Sequence, residues 1–291
     1  MKKFLPVLFF LIAFVGCGPR TVYPHLNWLI PWYVSDYISL DDSQKSMLQQ
    51  RLLKQLDWHC RTQLPAYAEV LRTIGRDFAN PDQALTYSRT QAYTIKLTEL
   101  WKGLMNQIGP DIADMLTTAS DGQIGELFDN LATQNQELRK KYVELPSRQL
   151  NENRQKRMNK RLKYWVSNLT ARQKEMISEW SSQLEPISED WLQNRELIQA
   201  KARRLLAQKS SRRDFRAQLL ELIANPDQMR TPAYQAKISA NIDITIKFII
   251  RLDQLLSLSQ RSHLLNRVES LASDFDQLSC DPKAVSKTQI K

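Results

Sequence analysis

The sequence predicts an all-α protein, a multi-helix bundle built from two similar helical units. Three observations carry that prediction. Glycine is scarce, with seven in 291 residues and none after Gly125, which leaves the second half without a Gly-rich phosphate loop and with few tight hairpins. Leu, Gln, Arg, Lys, Glu and Ala, all good helix formers, dominate what remains. One helix-start signature also recurs along the chain, followed each time by apolar residues at helical spacing. At 42% hydrophobic and 25% charged, the composition supplies enough apolar side chains for a core.

The chain opens with MKKFLPVLFFLIAFVGCG. Lys2 and Lys3 precede an apolar run from Phe4 to Val15, interrupted by Pro6, and Gly16 leads into Cys17. The run falls short of the ~20 residues that span a bilayer, so it reads as a signal peptide. The segment resembles a bacterial lipobox, in which the chain is cut before the cysteine and the sulfur carries diacylglycerol; Phe14 stands where leucine is usual. The resemblance implies a signal peptide at 1–16, lipid attachment at Cys17 and, from Gly18 in place of Asp, transport to the outer membrane. More than one acyl chain, at about 0.8 kcal/mol per buried CH₂, anchors stably. Loss of Lys2 and Lys3 lowers the formal net charge from +10 to +8.

Residues 17–39 then form a lipidated aromatic tether bearing Tyr23, Trp28, Trp32, Tyr33 and Tyr37, with Pro24 and Pro31 expected to break any long helix. Such rings serve either a membrane interface or the flank of the protein's own domain.

A first helical unit is predicted over 40–146. Leu40-Asp-Asp-Ser-Gln44 spells a capping box, and Leu48, Leu52 and Leu56 continue it as a stripe. Asn80-Pro-Asp-Gln83 reads as a cap with proline at the first helical position. Ala119-Ser-Asp-Gly-Gln123 is a weaker box. A basic connecting helix is predicted over 147–168. A second unit, 169–280, repeats the order: a box at Leu169-Thr-Ala-Arg-Gln173, a longer middle, Asn225-Pro-Asp-Gln228, and a box at Leu256-Ser-Leu-Ser-Gln260. Its stripes are Ile177, Trp180, Leu184 and Leu264, Val268, Leu271, Phe275, Leu278. The β-branched run 244–250 is read as helix because Ile238, Ile242, Ile246 and Ile249 pass through it at helical spacing. The polar tail 281–291 is expected to be disordered.

Two further cysteines remain, Cys60 and Cys280. In an oxidising compartment an even pair is expected to form a disulfide, worth at most roughly 5 kcal/mol by loop-closure entropy. Redox chemistry would need closer spacing or a basic neighbourhood, which His59 alone does not supply.

The signals for chemistry are thin. His25, His59 and His263 are scattered without metal-ligand spacing, so no metal and no cofactor is expected. No Gly-x-Ser-x-Gly elbow or Ser-x-x-Lys occurs. The acid pairs Asp41–Asp42 and Glu189–Asp190 fall at helix starts, where the macrodipole accounts for them; a distributed carboxylate pair of a cell-wall hydrolase stays open. The strongest surface feature is basic. Arg148, Arg154, Lys156, Arg157, Lys160, Arg161 and Lys163 crowd one helix with Glu152 as the sole acid, and Arg195, Lys201, Arg203, Arg204, Lys209, Arg212, Arg213 and Arg216 form a second group. Arg154, Arg157, Arg161, Arg203, Arg204 and Arg212 are the candidate binding residues, though a solvated helix face has the same spelling. Outside the cytosol the ligand is an anionic envelope component or a client polypeptide, not nucleic acid.

Three segments, Tyr23-Pro-His-Leu-Asn-Trp-Leu-Ile-Pro-Trp-Tyr33, Trp58-His-Cys-Arg-Thr-Gln-Leu-Pro-Ala-Tyr67 and Arg161-Leu-Lys-Tyr-Trp165, make the chain similar to a family of uncharacterised helical lipoproteins of gamma-proteobacteria, a domain of unknown function. That resemblance spans almost the whole mature chain and implies an outer-membrane lipoprotein without supplying an activity. The Leu-Thr-x-x-Gln spelling is separately similar to Spy-type periplasmic chaperones over short segments, which a capping box alone also explains. The expectation is therefore a non-catalytic, chaperone-like or assembly protein on the periplasmic face of the outer membrane, with an adaptor for a folded partner as the alternative. Oligomeric state is not legible.

Overall fold

A computed structural model of the chain describes residues 18–80, 84–209 and 214–280, and among these every regular element is helical. Residues 1–16, expected as a signal peptide, together with Cys17, Pro81–Gln83, Arg212 and residues 281–291, lie outside the described residues. The helices are α1 (Pro19–Val22), α2 (Leu26–Ser35), α3 (Asp42–Ala79), α4 (Tyr87–Thr118), α5 (Asp121–Tyr142), α6 (Ser147–Val166), α7 (Ala171–Gln183), α8 (Ser188–Ala207), α9 (Phe215–Ala224), α10 (Pro232–Gln254) and α11 (Leu258–Leu278). Short 3₁₀ turns occupy Tyr23–His25 and Pro226–Met229. Among the described residues no helix is long and apolar enough to cross a membrane.

All four capping boxes form. Asp41, Ser120, Thr170 and Ser257 each accept from the amide three residues on, and Gln44, Gln123, Gln173 and Gln260 reach back to the cap's own N–H. The Asn-Pro-Asp-Gln segments behave differently from expectation. Asn80 and Asn225 are C-caps of the preceding helices, which end at Ala79 and Ala224. The next helices are capped six residues later, by Thr86 and Thr231, whose hydroxyls accept from the amides of Arg89 and Tyr234. At Asn225 the expected cap is met only in position: it stands before the 3₁₀ turn Pro226–Met229 with proline first, but its side chain makes no cap bond there, and its side-chain amide instead donates to Glu221 of the helix behind. Pro31 also departs from expectation: α2 runs through it.

The core is organised around α3 and α11, the two helices in most extensive contact. Cys60, Leu64, Tyr67, Ala68 and Leu71 on α3 meet Leu264, Val268, Leu271, Ala272 and Phe275 on α11 in one apolar cluster. Both sets keep the three-and-four spacing of a buried helical stripe, and each fully buried large side chain is worth about 1.5–3 kcal/mol. Gly75 marks a close approach, since a Cβ there would lie 3.2 Å from Val268 Cγ1. Met158 and Val166 of α6, Met176, Ile177 and Trp180 of α7, and Phe248 and Leu252 of α10 complete the cluster. A second cluster joins Ala113, Ile124 and Phe128 to Leu205, Leu206, Phe215, Leu219 and Leu222. Residues from 40–146 and from 169–280 thus enter the same two cores. The run 244–250 lies inside α10.

Cys60 and Cys280 are bonded, with Cα atoms 5.2 Å apart, pinning the end of α11 to the middle of α3. Buried Arg261 faces Asp253 at 2.8 Å and donates to the Phe78 carbonyl at 2.6 Å, so a paired charge fixes the exit of α3. The tether splits its aromatics. Tyr23 and Tyr37 turn inward, Tyr23 towards His59 and Tyr37 towards Gln134, while Trp28, Trp32 and Tyr33 stay more than half exposed.

Candidate anion-binding face

Helix α6 positions the basic residues. It has no internal glycine or proline, and Met158, Leu162, Trp165 and Val166 press it onto the first cluster, beside α7 and α11. That inward stripe fixes what flanks it. Arg154, Arg157 and Arg161, spaced three and four apart, lie half-buried along its edge, and Lys156, Lys160 and Lys163 point to solvent.

The flanking arginines are partly stripped of water. Burial lowers the pKa of Arg154, Arg157 and Arg161 below the usual guanidinium value, and the charge of Arg157 lowers it further at the other two. They remain charged at neutral pH. Arg154 donates to the Ser181 carbonyl at 2.8 Å, in the last turn of α7, where the helix dipole welcomes a cation. Among the described residues no carboxylate stands within ion-pair distance of Arg154, Lys156, Lys160, Arg161 or Lys163; Glu152, the helix's one acid, is taken by Arg148 at 2.9 Å. Exposed Arg267 of α11 lies over the Tyr164 ring at 5.0 Å and carries the positive surface onto the neighbouring helix.

The second basic group is spent differently. Arg195 donates to Asn135 at 2.7 Å and to Gln134, tying α8 to α5. Lys209 reaches the Ala119 carbonyl and Asp121, and Arg216 pairs with Asp114 at 2.9 Å. Arg203 lies over the Phe128 ring at 5.8 Å and Arg204 is exposed. Arg212 lies outside the described residues. The two groups ride on different packings: α6 leans on α7 and α11, whereas α8 leans on α5 and α9.

The acid pairs have structural partners. Asp41 caps α3, Glu189 meets Arg139 at 3.2 Å, and Asp190 meets Lys237 at 2.8 Å.

One arrangement had no counterpart in the sequence reading. The four box glutamines join in pairs through their side-chain amides. Gln44 and Gln123 exchange two hydrogen bonds, of 3.1 and 2.7 Å, and Gln173 and Gln260 exchange two of 2.9 Å. Each amide also donates to the carbonyl two residues before its partner's cap, at Thr118, Ser39, Leu255 and Asn168. Every donor and acceptor of these buried or half-buried amides is used. No local signal reveals it, because the paired boxes stand 79 and 87 residues apart in the chain.

No curated protein and no solved structure matched the chain. A family model did, over residues 36–235, which takes in the whole of α6 and leaves out all but the last four residues of the tether, and Cys280. Spanning more than half of the chain, that match places the protein in the family described as a family of unknown function, DUF6279.

Proposed function

We propose that this protein is a non-catalytic, lipid-anchored binding protein of the periplasmic face of the outer membrane, and that α6 holds a phosphate-bearing envelope component. The observation that carries the reading is the row Arg154, Lys156, Arg157, Lys160, Arg161 and Lys163, with no carboxylate beside five of its members. Partly desolvated like charges repel one another, and an arriving phosphate restores both hydrogen bonds and neutrality. Guanidinium forks suit phosphate oxygens, and exposed lysines add attraction from a distance. The lipobox at 14–17 supports the anchor and the compartment. The paired capping boxes, each closed within 40–146 or within 169–280, support an internal duplication. The chaperone-like reading needs an apolar groove rimmed by these cations; outside α2 the exposed large apolar side chains are dispersed, at Leu53, Tyr87, Ile95, Ile112, Leu197, Leu255 and Leu258.

The test is titration of the full chain with lipopolysaccharide micelles at low and at high salt. Binding should weaken steeply with salt, and Lys156→Gln/Lys160→Gln/Lys163→Gln, which removes exposed charges only, should lower affinity at least about tenfold, some 1.4 kcal/mol. Binding that is absent, or equal in the variant, rejects the assignment. Recovery of one folded partner at stoichiometric amounts, with no micelle binding, would favour an adaptor instead.

A further inference from the structure

Helix α2 keeps a face that the fold does not use. Trp28 and Trp32, one helical turn apart, are 54% and 60% exposed; Tyr33 beside them is 52% exposed, with its hydroxyl held by that of Tyr37 at 3.0 Å. The opposite side is spent on the body: Val34 joins the second apolar cluster, and α2 packs along α3. No charged residue lies within Leu26–Ser35. A charge-free turn pair of exposed tryptophans is costly in water and favoured in a bilayer's headgroup layer, where the indole body is buried and its N–H stays hydrated. The other exposed large apolar side chains stand singly on α4, α8 and elsewhere, so this patch is distinct from ordinary surface.

We propose that the Trp28–Trp32–Tyr33 face of α2 beds into the headgroup layer of a phospholipid bilayer, making α2 an in-plane interfacial helix that fixes how the body stands on the membrane. The occupant follows from chain continuity. Nine residues, 19–27, lie between Gly18 and Trp28, and α1 and the 3₁₀ turn take up most of them. At about 1.5 Å per helical residue the backbone of Trp28 lies within roughly 15 Å of Gly18 and that of Trp32 within roughly 21 Å, and Gly18 adjoins the cysteine assigned to the lipid. Arg20, paired with Asp274 at 3.1 Å, ties α1 to α11, so the aromatic face is carried on the body and not on a free arm. This inference rests on the lipid-anchor reading for its occupant, and α2 precedes the stretch matched by the family model.

The full chain, purified from membranes, is reconstituted into phosphatidylethanolamine–phosphatidylglycerol vesicles containing lipids brominated near the headgroup or deep in the acyl chains. Two of the seven tryptophans should be quenched, more strongly by the shallow bromines. In Trp28→Phe/Trp32→Phe the quenchable share should vanish with the circular dichroism melt unchanged. Absent quenching in the wild type, or equal quenching in the variant, overturns the assignment. So does cross-linking to a dimer that the variant abolishes, which would put a second copy on this face. Mass spectrometry of the same sample separates the two readings. An acylated chain with unquenched tryptophans rejects the role of α2 alone, and a quenched chain without acyl groups rejects the anchor alone.

Discussion

His59 sits between two tyrosines, and its chemistry follows from that place. Nδ1 lies 3.1 Å from the Tyr23 hydroxyl and Nε2 3.5 Å from that of Tyr67, with the Tyr23 ring stacked at 5.6 Å. Burial holds its pKa down at about 4 against an ordinary 6.5, and pushes Tyr23 up to about 12. Through His59 the folded state therefore binds fewer protons than the unfolded one between about pH 4 and pH 6.5. Stability contributed by neutral His59 is full above pH 6.5 and is lost as pH falls towards 4, by up to ~3 kcal/mol. His59→Phe keeps a ring and removes the titration. Urea midpoints measured from pH 7 to pH 4 should fall for the wild type and flatten for the variant over that window; equal slopes would show that other groups carry the acid sensitivity. None of this was legible locally. His59 reads as an isolated histidine beside Cys60, and Tyr23 comes to it from 36 residues away.

At the scale of the element, what was legible is what is local. A capping box needs five consecutive residues, and all four were readable for that reason. The Asn-Pro-Asp-Gln expectation is met only in part: Asn225 does precede a proline-led turn, but that turn is a four-residue 3₁₀ one without a side-chain cap bond, and Thr231, six residues on, caps the long helix. The glutamine pairs lay beyond reach, since nothing in one box specifies which other box faces it. Their energetics follow from burial. Gln173 is fully buried, and Gln173→Ala would strand the Leu255 carbonyl, the Thr170 amide and half of Gln260, at about 1–3 kcal/mol. In Gln173→Ala/Gln260→Ala the two losses should not add: the second substitution removes a group already stranded, so the double variant should lose at least ~0.5 kcal/mol less than the sum of the singles. A double-mutant cycle by urea unfolding measures this directly, and strict additivity would mean that the amides act as independent caps.

Across the whole molecule, the helical class was fixed by composition and caps, while the sharing of cores was not, because stripes on α3 and α11 name an apolar face without naming its partner. The disulfide joins those same helices and spans 220 residues, a closure whose removal frees the unfolded chain at a cost of at most about 5 kcal/mol. Cys60→Ala/Cys280→Ala should thus lower the urea midpoint and steepen the transition, as the freed denatured chain exposes more surface. Reductant should shift the wild type and leave the variant where it is. The shape of the curve carries a second consequence. Because α6, α7, α10 and α11 share a core with α3, the bonded protein should unfold in one transition by fluorescence and circular dichroism alike. If 40–146 and 169–280 were stable alone, cutting the link at Cys60–Cys280 would split that transition in two; a shared core requires the variant, less stable as it is, to keep a single one.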